Sequence, residues 1–128
     1  MLWTDRWVGK EYQIGARGPD RFDCIGLLQS VLLERHGIIV DDATARLESH
    51  IDAYDSSKTG WFEIDKRDTD LGDVLVFRGQ GAEKLHVAYA VNKIDMLHTG
   101  GSGNMGSRVE TWRRKFWEAT LLQVWRHA

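Results

Sequence analysis

The chain contains little cysteine, little proline and no long apolar run, and each scarcity excludes a class of protein. Its 128 residues include one cysteine, Cys24, so no disulfide can form within the chain. No window approaches the roughly 18 apolar residues that a membrane-spanning helix requires. The net charge of -2, with acids and bases interspersed, gives no basic surface, so we expect no nucleic-acid partner.

The length and composition fit one small domain. The segment Met1–Arg6 lacks the positive start and apolar run of a secretory signal, so we expect the chain to be made in the cytoplasm without a signal peptide. With 42% apolar residues the chain can build a single core, and we expect one domain over residues 1–128. Most of the six tryptophans are expected to anchor that core.

A helical half precedes a half that alternates with a period of two. Helical spacing predicts helices over residues 4–8, 24–36 and 43–54, and a short one over Glu110–Trp117. Valine, leucine and aromatic residues between turn signals predict strands over the ranges Val74–Arg78, His86–Val91, Ile94–Thr99 and Leu121–Arg126, and we expect a short extended piece over Trp61–Ile64 before the sheet begins. Because strands and helices do not alternate along the chain, this order predicts an α+β fold with helices packed on an antiparallel sheet.

The single cysteine falls at the predicted first turn of the helix that ends at His36. Asp23 is a favoured N-cap residue, and Gly37 supplies a stop. Unpaired N–H groups and aligned peptide dipoles at a helix N-terminus stabilise a thiolate and can receive an oxyanion. Cys24 is therefore a candidate nucleophile; the alternative is a small buried apolar residue.

A glycine-rich segment leads into this helix. Gly9, Gly15, Gly18 and the only proline, Pro19, predict a shaped loop. Tyr12, within that loop, could return over the helix N-terminus and donate to an oxyanion or bind substrate. The alternative is an aromatic residue that packs on the core.

Two histidines lie on consecutive predicted strands, and their separation decides whether they can meet. His86 and His98 are twelve residues apart. A connection with an odd number of residues, such as Val91–Lys93, places the two side chains opposite each other on one face. A two-residue turn would instead direct His98 to the other face. We predict the odd connection. The small residues Ala88 and Ala90 share the predicted face of His86, where we expect the helix that carries Cys24 to approach.

A thiol, a base and a group that orients the base make up a nucleophilic site, and Cys24, His86 and His98 supply all three. The alternatives are exposed histidines, hydrogen-bonded core histidines, or a zinc site formed by the same residues. No ligand pair has the short spacing usual for zinc, so we expect neither metal nor cofactor. The GxGxxG pattern over Gly101–Gly106 lies too near the end of the chain for a dinucleotide site, and we interpret it as a loop at the rim of the cleft.

Five elements in order resemble the NlpC-type cell-wall cysteine peptidases, which have a papain-like fold. They are the segments Tyr12–Gly15, Asp23–Gly26, Gly72–Phe77, His86–Tyr89 and Met96–Thr99. The resemblance implies hydrolysis of a stem-peptide bond in peptidoglycan, typically between γ-D-glutamate and the following diamino acid. It implies that Cys24 attacks the carbonyl, His86 transfers the proton and His98 orients His86. The Cys24 N–H, assisted by Tyr12, would stabilise the oxyanion.

The segments Gly18–Cys24 and Val124–Arg126 resemble the form of this family encoded among bacteriophage tail genes. That resemblance implies a location in the virion tail, action at the cell wall, and other tail-tip proteins as partners. Two alternatives remain open. One is a structural tail-tip subunit that keeps the fold without activity, and the other is a papain-like amidase or acyltransferase on another substrate.

One residue departs from the family pattern. Many members have serine after the cysteine, where it helps the preceding aspartate bind a free stem amine, and this chain has Ile25. An apolar side chain cannot accept that hydrogen bond. We therefore expect Asp23 to serve as the helix cap, and the enzyme to accept stems still attached to glycan.

Overall fold

The structure, a computed structural model, describes residues 2–42, 60–79, 84–100 and 106–128. The predicted helix over residues 43–54 and most of the GxGxxG loop, residues 101–105, lie outside these ranges. The chain begins with a 3-10 helix over Trp3–Trp7, where the sequence predicted a short helix one residue later. Within the described ranges, no helix is both long and apolar enough to cross a membrane.

The central helix has the predicted bounds. Helix α1 spans Cys24–His36 and is capped by Asp23, whose side chain accepts the N–H of Gly26. It ends at Gly37, which has the left-handed conformation (φ 66°) that closes helices, and donates its N–H to the Leu33 carbonyl at 2.9 Å. Local capping signals are therefore sufficient to fix both ends of this helix.

A short parallel ribbon that the sequence did not predict precedes α1. Strands β1 (Glu11–Tyr12) and β2 (Arg21–Phe22) pair in parallel, with Tyr12 opposite Phe22. The glycine-containing loop between them supplies the turn. This ribbon places Tyr12 beside Phe22, two residues before Cys24.

The remaining strands form one antiparallel sheet in the order β3-β8-β4-β5-β6-β7. Their bounds are β3 Trp61–Ile64, β4 Val74–Arg78, β5 Leu85–Ala90, β6 Asp95–His98, β7 Arg108–Thr111 and β8 Leu121–His127. The four predicted strands and the extended piece over Trp61–Ile64 agree with these bounds to within one residue, and the α+β fold class is confirmed. A buried Asp73, 1% exposed, ties β8 to the turn before β4 through paired contacts of 2.9 Å with Arg126.

The short helix predicted over Glu110–Trp117 begins five residues later than predicted, at Lys115, and its predicted start at Glu110 is wrong. Residues Arg108–Thr111 form β7, which pairs with β6, and helix α2 begins later, at Lys115–Thr120. Backbone pairing with the edge of β6 stabilises this segment as a strand, and this tertiary pairing overrides the local preference of a short polar segment.

Helix α1 lies on one face of the sheet, against β5 and β6. Its buried apolar residues share a core cluster with Val87 and Leu97, whereas Ala88 and Ala90 belong to a second cluster on the other face that contains Trp112. The expectation that α1 approaches the Ala88 face is therefore wrong. Strand alternation places the bulkier residues of β5 under the helix and leaves the small ones to pack under tryptophan.

Candidate active site

The register of β5 and β6 brings the two histidines together. Tyr89 pairs with Leu97 and Ala90 with Met96, so an odd number of residues connects the strands. This connection is centred one residue later than predicted, which makes His86 and His98 diagonal neighbours on one face instead of direct opposites. Nε2 of His86 lies 2.8 Å from Nδ1 of His98. The prediction that both rings share a face is confirmed.

A carboxylate continues this chain of contacts. Nε2 of His98 lies 2.8 Å from Oε2 of Glu110, which also accepts the Nε–H of Arg108 at 2.8 Å. Trp117 donates its indole N–H to the other oxygen at 3.2 Å. Hydrogen bonds from His98, Arg108 and Trp117 outweigh partial burial and lower the pKa of Glu110 to about 2. Glu110 is therefore ionised at neutral pH.

Aromatic rings shield the histidine pair from water. Trp117 stacks on His86 with centroids 5.6 Å apart and meets His98 edge-on at 5.2 Å. His86 is 4% exposed and His98 is 1% exposed. Burial, followed by His98 and Arg108, lowers the pKa of His86 to about 3, and burial also lowers the pKa of His98. Both rings are neutral at pH 7, and His86 can accept a proton.

The aspartate before the cysteine is fully engaged. Its Oδ1 accepts the N–H of Gly26 at 2.7 Å, and its Oδ2 accepts the N–H of Gly15 at 3.0 Å and Nη1 of Arg17 at 2.7 Å. These contacts join the shaped loop to the first turn of α1. Cys24 follows directly and is 4% exposed, within the core cluster that α1 forms with the sheet. Asp23 is the helix cap that the sequence predicted.

Two contacts define how α1 runs along the sheet. At its C-terminal end, Nε2 of His36 lies 2.7 Å from the Tyr89 hydroxyl, near the end of β5. At its N-terminal end, the β1–β2 ribbon brings Tyr12 against Gly100, where an added Cβ would lie 3.2 Å from the tyrosine ring.

Gly100 follows His98 by two residues, at the end of β6 that runs beside the start of β5. The start of β5 carries His86, because antiparallel strands place the end of one beside the beginning of the other. Cys24 and Tyr12 therefore lie toward the same end of the sheet as the two histidines. By strand alternation, however, His86 shares the face of Ala88, whereas α1 packs on the face of Val87, so Cys24 and the histidine pair belong to opposite faces of β5 at this end. A helix start, a tyrosine and a neutral imidazole pair at one sheet end are the parts that thiol-based acyl transfer requires.

Four residues of this region escaped the sequence analysis. Glu110 was assigned to a helix, although it follows His98 by the same twelve residues that separate His98 from His86. In a meander of antiparallel strands, equal even spacings return residues to one face, so the spacing could have revealed Glu110. The others, which carried no such signal, are Arg17, Arg108 and Trp117. Among the described residues, no three His, Cys, Asp or Glu side chains are grouped as a metal site requires.

The chain has the papain-like arrangement of a helix that begins at cysteine and packs on an antiparallel sheet. The profile of the NlpC/P60 family matches residues 9–126, and the chain belongs to that family. Its members are cysteine peptidases and generally peptidoglycan hydrolases. No curated protein sequence matches the chain significantly.

Solved structures show the same fold at low sequence identity. A lipoprotein-like NLP/P60 protein from Staphylococcus aureus is 23% identical with a TM-score of 0.71 over 95% of this chain and 38% of its own. An NlpC/P60 protein from Bacillus cereus is 20% identical with a TM-score of 0.67 over 94% and 36%. The NlpC/p60 domain of the peptidoglycan hydrolase SagA is 22% identical with a TM-score of 0.63 over 93% and 88%. The chain thus spans less than half of the first two proteins.

The buried neutral histidines make the fold sensitive to acid. The pKa of His86 is about 6.5 in the unfolded chain and about 3 in the folded chain. Between these two pH values His86 is protonated in the unfolded chain and neutral in the folded one. Stability is therefore full above pH 6.5 and falls as the pH falls, by up to about 1.4 kcal/mol per pH unit. Below pH 4.5, protonation of Glu110 in the unfolded chain adds to the loss.

Urea unfolding at pH 7, 6 and 5 measures this dependence. We expect the midpoint to decrease at each step, and a His86→Gln variant to show a shallower decrease. Equal midpoints at pH 7 and pH 5 in the unaltered chain would contradict the neutral buried pair.

Proposed function

We propose that this chain is a cysteine endopeptidase that hydrolyses a stem-peptide bond of bacterial peptidoglycan. One observation carries the proposal: the His86–His98 hydrogen bond lies toward the same end of the sheet as the start of α1, where Cys24 is the first helical residue. Membership of the NlpC/P60 family supports the chemistry and the class of substrate. The roles that we assign are nucleophile for Cys24, base for His86 and orienting group for His98.

The reaction proceeds in two displacements. His98 occupies Nε2 of His86, which leaves Nδ1 to take the thiol proton. The sulfur of Cys24 then attacks the carbonyl carbon, the C–N bond breaks, and His86 returns the proton to the leaving amine. Water, deprotonated by His86, hydrolyses the resulting thioester and regenerates the thiol.

The oxyanion formed in each displacement is held at the helix start. Cys24 is the first residue of α1, where backbone N–H groups and the helix dipole favour negative charge. Tyr12 reaches the same sheet end through its contact with Gly100 and supplies a phenol O–H. We assign Tyr12 to oxyanion or substrate binding.

The contacts of Asp23 support a substrate whose stem is still attached to glycan. Both of its oxygens are already engaged, by Gly26 on one side and by Gly15 and Arg17 on the other. A free amine would have to displace the Arg17 ion pair, which lies at 2.7 Å. Ile25 offers no second acceptor. We therefore propose an endopeptidase that does not depend on a free stem amine, with the γ-D-glutamyl bond to the diamino acid as its target.

Two forms of one substrate test this specificity. Intact sacculi carry glycan-linked stems, and sacculi pretreated with an amidase release the same stems with free amines. We expect the enzyme to cleave glycan-linked stems at least as fast, with mass spectrometry placing the cut after D-glutamate. Cleavage of only the released stems would contradict the proposal, and a cut elsewhere in the stem would contradict the assigned bond.

The biological setting that we propose is the bacteriophage tail, which would carry the enzyme to the cell wall. Support comes from the resemblance of segments Gly18–Cys24 and Val124–Arg126 to tail-encoded members of the family. Antibodies against the chain should label the tail tip of purified virions. Labelling without hydrolysis of sacculi would favour the structural subunit, and hydrolysis of another amide or ester would favour the acyltransferase alternative.

A further inference from the structure

We propose that Glu110 is a positioning residue that fixes the protons of both histidines and supports the positive charge formed on His86. This inference rests on the proposed function, because it assigns Glu110 a role through His98 in the same reaction. The geometry behind it is a continuous chain of contacts of 2.8 Å, from Glu110 to His98 and from His98 to His86.

The carboxylate determines which ring nitrogens carry protons. An ionised carboxylate can only accept hydrogen bonds, so Nε2 of His98 must donate to Glu110. In a neutral ring the other nitrogen, Nδ1, then accepts, and Nε2 of His86 must donate to it. Nδ1 of His86 is left with its lone pair. That is the tautomer required to take a proton from Cys24.

Without the carboxylate the direction of this chain is no longer fixed. If Nδ1 of His98 carried the proton, it would donate to Nε2 of His86, and the proton of His86 would move to Nδ1. His86 could not then act as a base toward Cys24. Two arrangements of the protons are compatible with the same heavy-atom contacts, and Glu110 selects the one in which His86 can act as a base.

The charge of Glu110 acts in the next step. When the thiol proton moves to His86, the ring becomes an imidazolium in a buried site, and a carboxylate beyond His98 lowers the cost of that charge. Arg108, which also contacts Oε2, and Arg114, 3.6 Å from Oε1, act in the opposite sense toward His86. Replacing only the carboxylate would leave these cations without their counter-charge and raise the cost of the imidazolium further.

The structure holds Glu110 in place for this role. Arg108 donates to the carbonyls of Gly100 and Gly106 at 3.1 and 2.9 Å and to Glu110 at 2.8 Å. Trp117, which stacks on His86, donates to the second carboxylate oxygen. Arg108 and Trp117 thus anchor the carboxylate, and Trp117 also covers the imidazole of His86.

A Glu110→Gln variant tests the inference, because glutamine keeps the size but loses the charge and can present its NH₂ group to His98. We expect kcat/KM on sacculi to fall by about ten- to a hundredfold, a smaller loss than for a direct contact of the base, since Glu110 acts through His98. The pH profile of Cys24 alkylation by iodoacetamide should move to higher pH. Glu110→Asp should recover part of the activity and part of the shift in the alkylation profile. Glu63→Gln, at an exposed glutamate on β3, should change neither the activity nor the alkylation profile.

The alkylation profile separates this inference from the proposed function, since it requires no peptidoglycan. An ordinary thiol profile in the unaltered chain would overturn both. A depressed thiol pKa that Glu110→Gln leaves unchanged would overturn only the role of Glu110. Should the variant fail to fold, ¹⁵N NMR of the unaltered chain provides the test: we expect protons on Nε2 of both His86 and His98, and a proton on Nδ1 of His98 would overturn the inference.

Discussion

Replacing Cys24 with serine is expected to reduce the hydrolysis of sacculi on the order of 10⁴-fold or more, since loss of a nucleophile removes most of the catalysis that a triad supplies. The change replaces one atom, so α1 and its Asp23 cap remain. A serine hydroxyl does not ionise near neutral pH, and the helix dipole that favours a thiolate cannot compensate. Release of soluble muropeptides from purified sacculi measures the loss.

Measuring the reactivity of the Cys24 thiol beside the hydrolysis of sacculi distinguishes an enzyme from a structural subunit. In the unaltered chain we expect iodoacetamide to alkylate Cys24 at a pH below the ordinary thiol pKa of about 8.5. Cys24 is the only cysteine, so the label reports on one site. Full hydrolysis by Cys24→Ser would refute the nucleophile, whereas an unreactive thiol with no hydrolysis in the unaltered chain would favour the structural subunit.

Much of the region around Cys24 could be predicted because local signals determine it. Asp23 and Gly37 mark the ends of α1 through capping geometry that depends on a few neighbouring residues. The shared face of His86 and His98 follows from parity along two strands, which holds even though the turn is centred one residue from its predicted position. Such features are insensitive to small errors in element bounds.

The errors arose where distant parts of the chain decide the outcome. Residues Arg108–Thr111 form β7 because β6 offers an edge, and no local pattern marks them as a strand. The face of β5 that receives α1 depends on the packing of Val87 against the helix and of Ala88 in the second cluster. The even spacing that places His86 and His98 on one face also places Glu110 there, twelve residues after His98.

Gly26→Ala is expected to destabilise the fold by about 1–3 kcal/mol, the usual cost of overpacking. In an open helix this change would stabilise by about 1 kcal/mol, because alanine is the better helix former. Here an added Cβ would lie against the carbonyl oxygen of Ala16, closer than Cβ atoms approach in proteins, and 3.0 Å from Cα of Arg17. Both neighbours are backbone atoms, so the loop or the helix must move.

That movement would reach the nucleophile. The Ala16 carbonyl accepts the N–H of Asp23 at 3.0 Å, so a displaced loop shifts the cap and the start of α1 at Cys24. Displacing a reacting group by about 1 Å can cost about a hundredfold in rate, and we expect a loss of that order in muropeptide release per folded molecule.

Gly37→Ala, at the other end of α1, is the matched control for Gly26→Ala. Its φ of 66° is unfavourable for alanine, but no atom lies within 4 Å of an added Cβ. We expect the free energy of unfolding in urea to fall by about 1 kcal/mol because alanine must adopt this left-handed conformation, with hydrolysis per folded molecule unchanged. If Gly26→Ala instead raised the unfolding midpoint and kept full activity, the close approach of the loop to the helix start could not be what positions Cys24.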